Sequence, residues 1–315
     1  MEKEVVLRAE NLRKEFYSRV VLDGITLALE KGEIFGLIGA SGSGKTTLLH
    51  TFIGFYEPED GEVYLTHDQK EFPLHAHLSL ARKKCGFAPQ HPSFYHALTV
   101  AENLMHFGIL YGLDDEEAEQ QTDHLLAMTK LQQAKDLSAD QLSYGMQKRL
   151  GIACALVHRP SILFLDEPTA DLDPLMRKDI WSMVKRINEQ GTTILVASHL
   201  LGEMEAMCSR IGMLHNGKLI YTGTFENMKA TYAPRQEITV KTASHIYDGI
   251  LSKIKKCKEV SSFSVGPHLQ VMTANPEATV QAIVFHIKEL GDKIEYLHVS
   301  PPSLEEIFSL LEEEK

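Results

Sequence analysis

Eight consecutive residues, Gly39-Ala40-Ser41-Gly42-Ser43-Gly44-Lys45-Thr46, have the spacing G-x-x-x-x-G-K-[ST] of a loop that wraps backbone N–H groups around phosphates. The glycines allow a tight turn and close approach to the phosphates, and the helix start behind them adds partial positive charge. Lys45 is placed to reach the β- and γ-phosphates of a nucleoside triphosphate and the Thr46 hydroxyl to meet Mg²⁺, while Thr47 beside it counts among the ATP-binding residues. Further along, Ile162-Leu163-Phe164-Leu165-Asp166-Glu167 is an apolar run that ends in two adjacent carboxylates. Alone, such a run marks a strand ending in a solvated turn. Beside this phosphate loop it supplies what the loop lacks: Asp166 as a Mg²⁺ ligand and Glu167 as the general base for the water attacking the γ-phosphate.

These side chains need a scaffold, and the pattern around them describes one. Glu33 to Ile38 is an apolar run before the loop and Thr47 to Phe52 continues after it, so the motif falls between a buried strand and a helix start. The first 65 residues read as short strands, Val5–Leu7, Ile25–Leu29 and Glu62–Leu65 among them, punctuated by Lys31-Gly32 and Asp60-Gly61. From about Val100 to Val157 the spacing turns helical, with Leu104, Phe107, Gly108 and Tyr111 on one face. The runs at Ile162–Leu165 and Thr193–Ala197, joined by a helix from Pro174 to Gln190, have the character of parallel strands buried on both faces. A boundary is expected near Tyr232–Arg235. Beyond it, Ile238 and Val240, the helical face Ile246, Ile250, Leu251 and Ile254, two strands around Phe263 and Val271, a helix through Val280, Ile283, Ile287 and Leu290, and a strand from Ile294 spell β-α-β-β-α-β. A last helix is predicted from Ser303, with Glu306 at the capping-box position.

Composition narrows the possible functions. The chain has 315 residues, 43% of them hydrophobic, enough for one large core and a small one. Its net charge of −11 and the lack of a dense Lys/Arg run speak against nucleic acid as a partner. No stretch reads as a signal peptide or a bilayer span. Cys85, Cys154, Cys208 and Cys257 are far apart and suit reduced, packed thiols.

Five further stretches carry a resemblance. Leu142-Ser143-Tyr144-Gly145-Met146-Gln147-Lys148-Arg149 resembles the LSGGQ signature of ATP-binding cassette (ABC) ATPases, and Cys85–Gln90 is similar to their Q-loop. Glu167-Pro168-Thr169-Ala170-Asp171-Leu172-Asp173 resembles the loop running from the second carboxylate into the D-loop, and Ala197-Ser198-His199 the switch histidine. Phe16 falls where the family stacks an aromatic ring on adenine, with Tyr17 as the alternative. The order agrees from Val5 to about Lys229.

The resemblance implies an α/β fold: a P-loop ABC nucleotide-binding domain over residues 1–229, with RecA-like core, β-subdomain and helical subdomain (about 91–160). A small α+β ferredoxin-like domain over 236–315 follows. It implies ATP and Mg²⁺, with Gln90 sensing the metal and the attacking water, His199 at the γ-phosphate, and Asp173 in the D-loop. Ser143, Gly145 and Gln147 would reach the ATP of a second cassette, so a homodimer or a pair with another ABC subunit is implied. Tyr144, Met146 and Asp171 depart from the common pattern, although the Ser143 hydroxyl and Gly145 N–H are kept.

Pro92–Leu104 and Leu110–Leu113, with Pro302–Phe308, resemble ATPase subunits of type 2 ABC exporters. That implies a separate integral-membrane permease, export of a cargo read by the permease, and a cytoplasmic subunit peripheral on the inner face of the membrane. The coupling helix of such a permease would dock along Gln90 to Phe107. The alternative is an ABC ATPase without a permease, serving as a regulatory or assembly factor, which the presence or absence of a neighbouring permease gene would discriminate.

Overall fold

The computed structural model describes residues 4–232, 236–247, 249–251, 260–300 and 307. Its contacts divide the chain into two compact units, Met1–Gly223 and Thr224–Lys315, so the helix Phe225–Tyr232 groups with the second.

Two sheets make the frame of the first unit. One is antiparallel, in the order Arg19–Glu30, Val5–Phe16, Asp60–His67, Lys70–Pro73. Its first two strands are far longer than the apolar triplets in the sequence suggest, because their outward positions are polar and hide the alternation. The other sheet has six strands: Lys218–Gly223, Arg210–His215, Ile34–Ile38, Thr193–Ser198, Ile162–Asp166 and Cys85–Ala88. Its last five run parallel, and the first pairs antiparallel at the edge. Ile34–Ile38, Ile162–Asp166 and Thr193–Ser198 are buried at every residue, as strands covered on both faces must be. Phe35, Phe52, Phe164 and Leu195 join Leu7, Leu12, Leu27 and Val63 in one apolar core, which binds the two sheets together.

Three helices lie between the strands Cys85–Ala88 and Ile162–Asp166: Val100–Leu110, Asp115–Thr129 and Tyr144–Leu156. The first two open on capping boxes, Thr99 with Glu102 and Asp114 with Glu117. On the face they share, Leu104 and Gly108 are buried, Phe107 is half-buried and Tyr111 exposed. Cys85, Cys154 and Cys208 are buried, and burial pushes each thiol up to about 12, so they are packed and unreactive. Cys257 lies outside the described residues.

The second unit has an antiparallel sheet in the order Val260–Val265, Leu269–Thr273, Gln236–Thr242, Ile294–Ser300. With the helix Pro276–Glu289, and a helical segment at 249–251, this is the ferredoxin-like order. Ile238, Val240, Ile250, Val271, Ile283 and Ile287 form its core. Two expected members, Ile246 and Leu290, are exposed; Tyr247 takes the inward position instead, because the helix starts later than the periodicity suggests. Ile254 lies outside the described residues, as does the helix predicted from Ser303 except for Ile307, which is helical and buried.

Candidate active site

Four motif segments leave the C-terminal ends of four neighbouring parallel strands. Ile38 runs into the phosphate loop, Asp166 ends the next strand but one, Ser198 precedes His199 between them, and Ala88 leads to Gln90. The register aligns these ends, pairing Ile38 with Ser198, Asp166 with Ala197 and Ala88 with Leu165. An open α/β sheet gathers ligand chemistry along this edge.

The phosphate loop needs its glycines. A Cβ at Gly39 would lie 2.4 Å from the Leu214 carbonyl oxygen and 2.5 Å from Ser43 Oγ, and Gly44 has φ +111° as it caps the helix Lys45–Phe52. Lys45 is buried, and its Nζ donates to the carbonyls of Gly39 (2.7 Å) and Ala40 (3.3 Å). The same ammonium sits 3.6 Å from Glu167 Oε1. On the other side of that carboxylate, His199 Nδ1 lies 3.0 Å from both Oε1 and Oε2. Glu167 is therefore bracketed by a lysine and a histidine, with its backbone at φ +47°, a strained value for a side chain of its size.

Asp166 is 2% exposed, and Oδ2 accepts from the Thr46 hydroxyl at 2.7 Å while Oδ1 has no hydrogen-bond partner. Burial pushes its carboxyl above the ordinary range, and the Thr46 hydrogen bond only partly offsets this. A buried, unpartnered carboxylate oxygen next to a hydroxyl oxygen forms a hard donor set that fits Mg²⁺.

The signature segment is built differently. Ser143 is exposed and caps the helix Tyr144–Leu156, its Oγ accepting from Met146 N at 3.4 Å. Gly145 is buried against Met176, whose Sδ would lie 2.8 Å from an added Cβ. Gln147, expected to face a second nucleotide, donates from Nε2 to the carbonyls of Leu142 (3.3 Å) and Ala139 (3.4 Å), so it braces its own loop. Asp173 caps the helix Pro174–Glu189, accepting from Leu175 N and Met176 N. Asp171 has φ +61°, a conformation Asp tolerates better than most residues, which accounts for its place in this turn.

Phe16 and Tyr17 stand at the tip of the first hairpin. Tyr17 is fully exposed at φ +48°, whereas Phe16 is half-buried and packs edge-on against Tyr56 at 5.0 Å between ring centroids.

Sequence reasoning missed Lys148. This lysine of the signature helix is 3% exposed; its Nζ donates to the Gln90 carbonyl in a short bond and to the Glu167 carbonyl at 3.3 Å. Burial pushes its ammonium below the ordinary range, against the pull of Asp171, Asp166 and Glu167. A charged residue amid Met146, Leu150 and Ile152 was the available signal, but a solvated helix face explains such a residue equally well until the fold is known.

The ABC transporter family model matches residues 22–170. The linearmycin resistance ATP-binding protein LnrL of Bacillus subtilis (strain 168) is 32% identical over 96% of this chain and 97% of its own length. A Nod factor export ATP-binding protein I of Sinorhizobium fredii is 35% identical over 70% of this chain and 64% of its own. Among solved structures, the dimeric ATP-binding cassette MJ0796 in a post-hydrolysis state, bound to ADP and Pi, aligns with TM-score 0.61 and 28% identity. That alignment covers 69% of this chain and 98% of the cassette. A phosphate loop, paired carboxylates and a histidine on one sheet edge, in a chain related over its length to such proteins, mark an ATPase: the chain belongs to the ATP-binding subunits of ABC transporters.

Proposed function

We propose that this chain hydrolyses MgATP at the edge formed by Lys45, Asp166, Glu167 and His199, and thereby powers export through a permease carried on a separate polypeptide. The observation that carries the reading is the bracketed Glu167 carboxylate, 3.6 Å from Lys45 Nζ and 3.0 Å from His199 Nδ1. Gly39 to Thr47 surround the triphosphate, and Lys45 exchanges its bonds to the Gly39 and Ala40 carbonyls for the β- and γ-phosphates. Thr46, Asp166 and Gln90 would hold Mg²⁺, which when bound neutralises charge on the transferring phosphoryl group. Glu167 takes a proton from the attacking water as the new P–O bond forms and the bond to the β-phosphate oxygen breaks. His199 orients Glu167 and meets the γ-phosphate, and Phe16 stacks on adenine.

The exposed Ser143 and the Gly145 N–H at a helix N-terminus complete the γ-phosphate site of a second cassette. ATP then holds two copies together, and its hydrolysis releases them. Residues 1–229 serve as the nucleotide-binding domain and 236–315 as an accessory domain.

Support for a permease partner comes from a groove of about 370 Å³ lined by Phe55, Phe87, Pro89, Ser93, Phe107 and Tyr111. Phe55 is 68% exposed, and Phe107 and Tyr111 turn toward this groove, which is why they are absent from the core. Among the described residues no helix is long and apolar enough to cross a membrane, in keeping with a subunit held at the inner face through its permease. The names of the relatives, for linearmycin resistance and Nod factor export, favour export. The test is affinity purification of the chain from membranes: a permease should co-purify with wild type and be lost with Phe55→Arg, while ATP affinity is unchanged. Undiminished capture of the permease by Phe55→Arg would refute the docking groove; the absence of any permease would favour the regulatory reading.

A further inference from the structure

Glu203 has no place in the motifs, yet three donors from another segment converge on its carboxylate. It stands four residues after His199, on the short helix Leu201–Met207. Oε2 accepts from Thr169 Oγ1 at 2.7 Å and from Trp181 Nε1 at 2.7 Å, and Oε1 from Arg177 Nη1 at 3.3 Å. Thr169 is fully buried within the turn that links Glu167 to the D-loop. Arg177 also donates from Nε to the Leu172 carbonyl at 2.8 Å, gripping the same turn from its far side. A carboxylate can accept from all three at once, and charge-assisted bonds of this kind are the strong ones.

We infer that Glu203 is a positioning residue that makes the switch-histidine segment and the D-loop move as one body. His199 and Glu203 are joined by three intervening residues, so a displacement of His199 toward the γ-phosphate carries Glu203 with it. Glu203 in turn holds Thr169 and Arg177, and through them the stretch Thr169–Asp173. On the proposed ATP-dimer reading, that stretch faces the second cassette, so Glu203 tells one nucleotide site whether the other holds a γ-phosphate. The device includes its own reporter, since Trp181 is the single tryptophan of the chain and its indole N–H is one of the three donors.

The test is Glu203→Gln in the full-length chain, with ATP hydrolysis measured against ATP concentration and Trp181 emission recorded with and without MgATP. The amide keeps the size but brings N–H groups toward donors. The expected result is a kcat about tenfold lower with half-saturating ATP within about twofold, and a Hill coefficient falling toward one. In a Glu167→Gln background, MgATP should change Trp181 emission, and adding Glu203→Gln should abolish that change while nucleotide binding persists. An unchanged kcat and Hill coefficient, or a lowered Tm with normal turnover per folded molecule, would overturn the inference. Thr169→Val provides a second variant should Glu203→Gln not fold: it cuts the direct arm to the turn while leaving the one through Arg177, and should lower the cooperativity, and normal cooperativity there would equally overturn it. Failure of the underlying reading has a different mark, since the wild-type chain would then hydrolyse ATP without cooperativity or form no ATP-dependent dimer.

Discussion

The phosphate-loop end and the signature end of the first unit handle charge in opposite ways. Around Gly39–Thr46 and Asp166–Glu167 the charged groups are buried and answer one another within one chain: Lys45 is 7% exposed, Asp166 2% and Glu167 7%. At the signature, Ser143 is exposed and its hydroxyl only caps its own helix. On the proposed reading, one end is a site that a single chain completes and the other is half of a site that needs a second nucleotide to face. The difference makes binding and turnover separable on that reading, the first belonging to one copy and the second to two.

The largest effect should come from the buried end. Glu167→Gln is expected to lower turnover by about 10³-fold while ATP still binds, because a general base typically contributes 10²–10⁴. Steady-state phosphate release together with ATP-dependent dimerisation in sedimentation velocity measures both; turnover near wild type would mean that another group takes the proton. Ser143→Asp breaks the comparison from the exposed side. Asp is as good a helix cap as Ser, so Tm should stay within a few degrees. Its carboxylate repels a facing triphosphate, so turnover should fall by about 10²-fold while the monomer's ATP affinity holds. A loss of ATP binding to the monomer would show that the two ends are not separable.

Lys148 joins the two ends, so its removal should touch both more mildly. Lys148→Met strands the Gln90 and Glu167 carbonyls, which should cost about 2 kcal/mol of stability and several-fold in kcat, checked by urea unfolding and ATPase assay. Unaltered stability would mean that water replaces the ammonium without cost.

The last effect touches stability and its pH dependence with no change in turnover, and lies behind the signature helix. Burial pushes His158 down to about 4; its ring stacks on Tyr111 at 3.8 Å, Nε2 donates to the Cys85 carbonyl, and Nδ1 has no partner. A histidine depressed in the fold is neutral there, while the unfolded chain takes up its proton near pH 6.5. Between pH 6.5 and 4 the unfolded state thus binds more protons, and stability is lost as the pH falls through that window, by at most about 3 kcal/mol. His158→Phe keeps the stack and should flatten the decline of Tm between pH 7 and 5. An identical slope would assign the acid sensitivity to other groups.

Much of the buried end was legible because its chemistry is contiguous. Gly39 to Gly44 form one loop that runs into the helix at Lys45, and Ile162 to Asp166 one strand followed by Glu167, so local composition carries the conformation. The signature and switch histidine were readable only through their resemblance to a family, since an isolated Ser-Tyr-Gly or Ser-His has no local necessity. The length of the first hairpin was misjudged, because its outward polar residues hide the alternation from a periodicity count.

By itself, then, the sequence determined that a glycine-rich loop joins a buried strand to a helix and that a second buried strand ends in paired carboxylates. Glycine conformations and strand-to-loop transitions are set by neighbours along the chain. Only the tertiary structure decided that Lys148 reaches Gln90 and Glu167, and that Glu203 collects Thr169, Arg177 and Trp181. Those contacts join segments 19 to 58 residues apart, and no local pattern encodes them. They exist because parallel strands return to one edge, where burial obliges every polar group to find a partner.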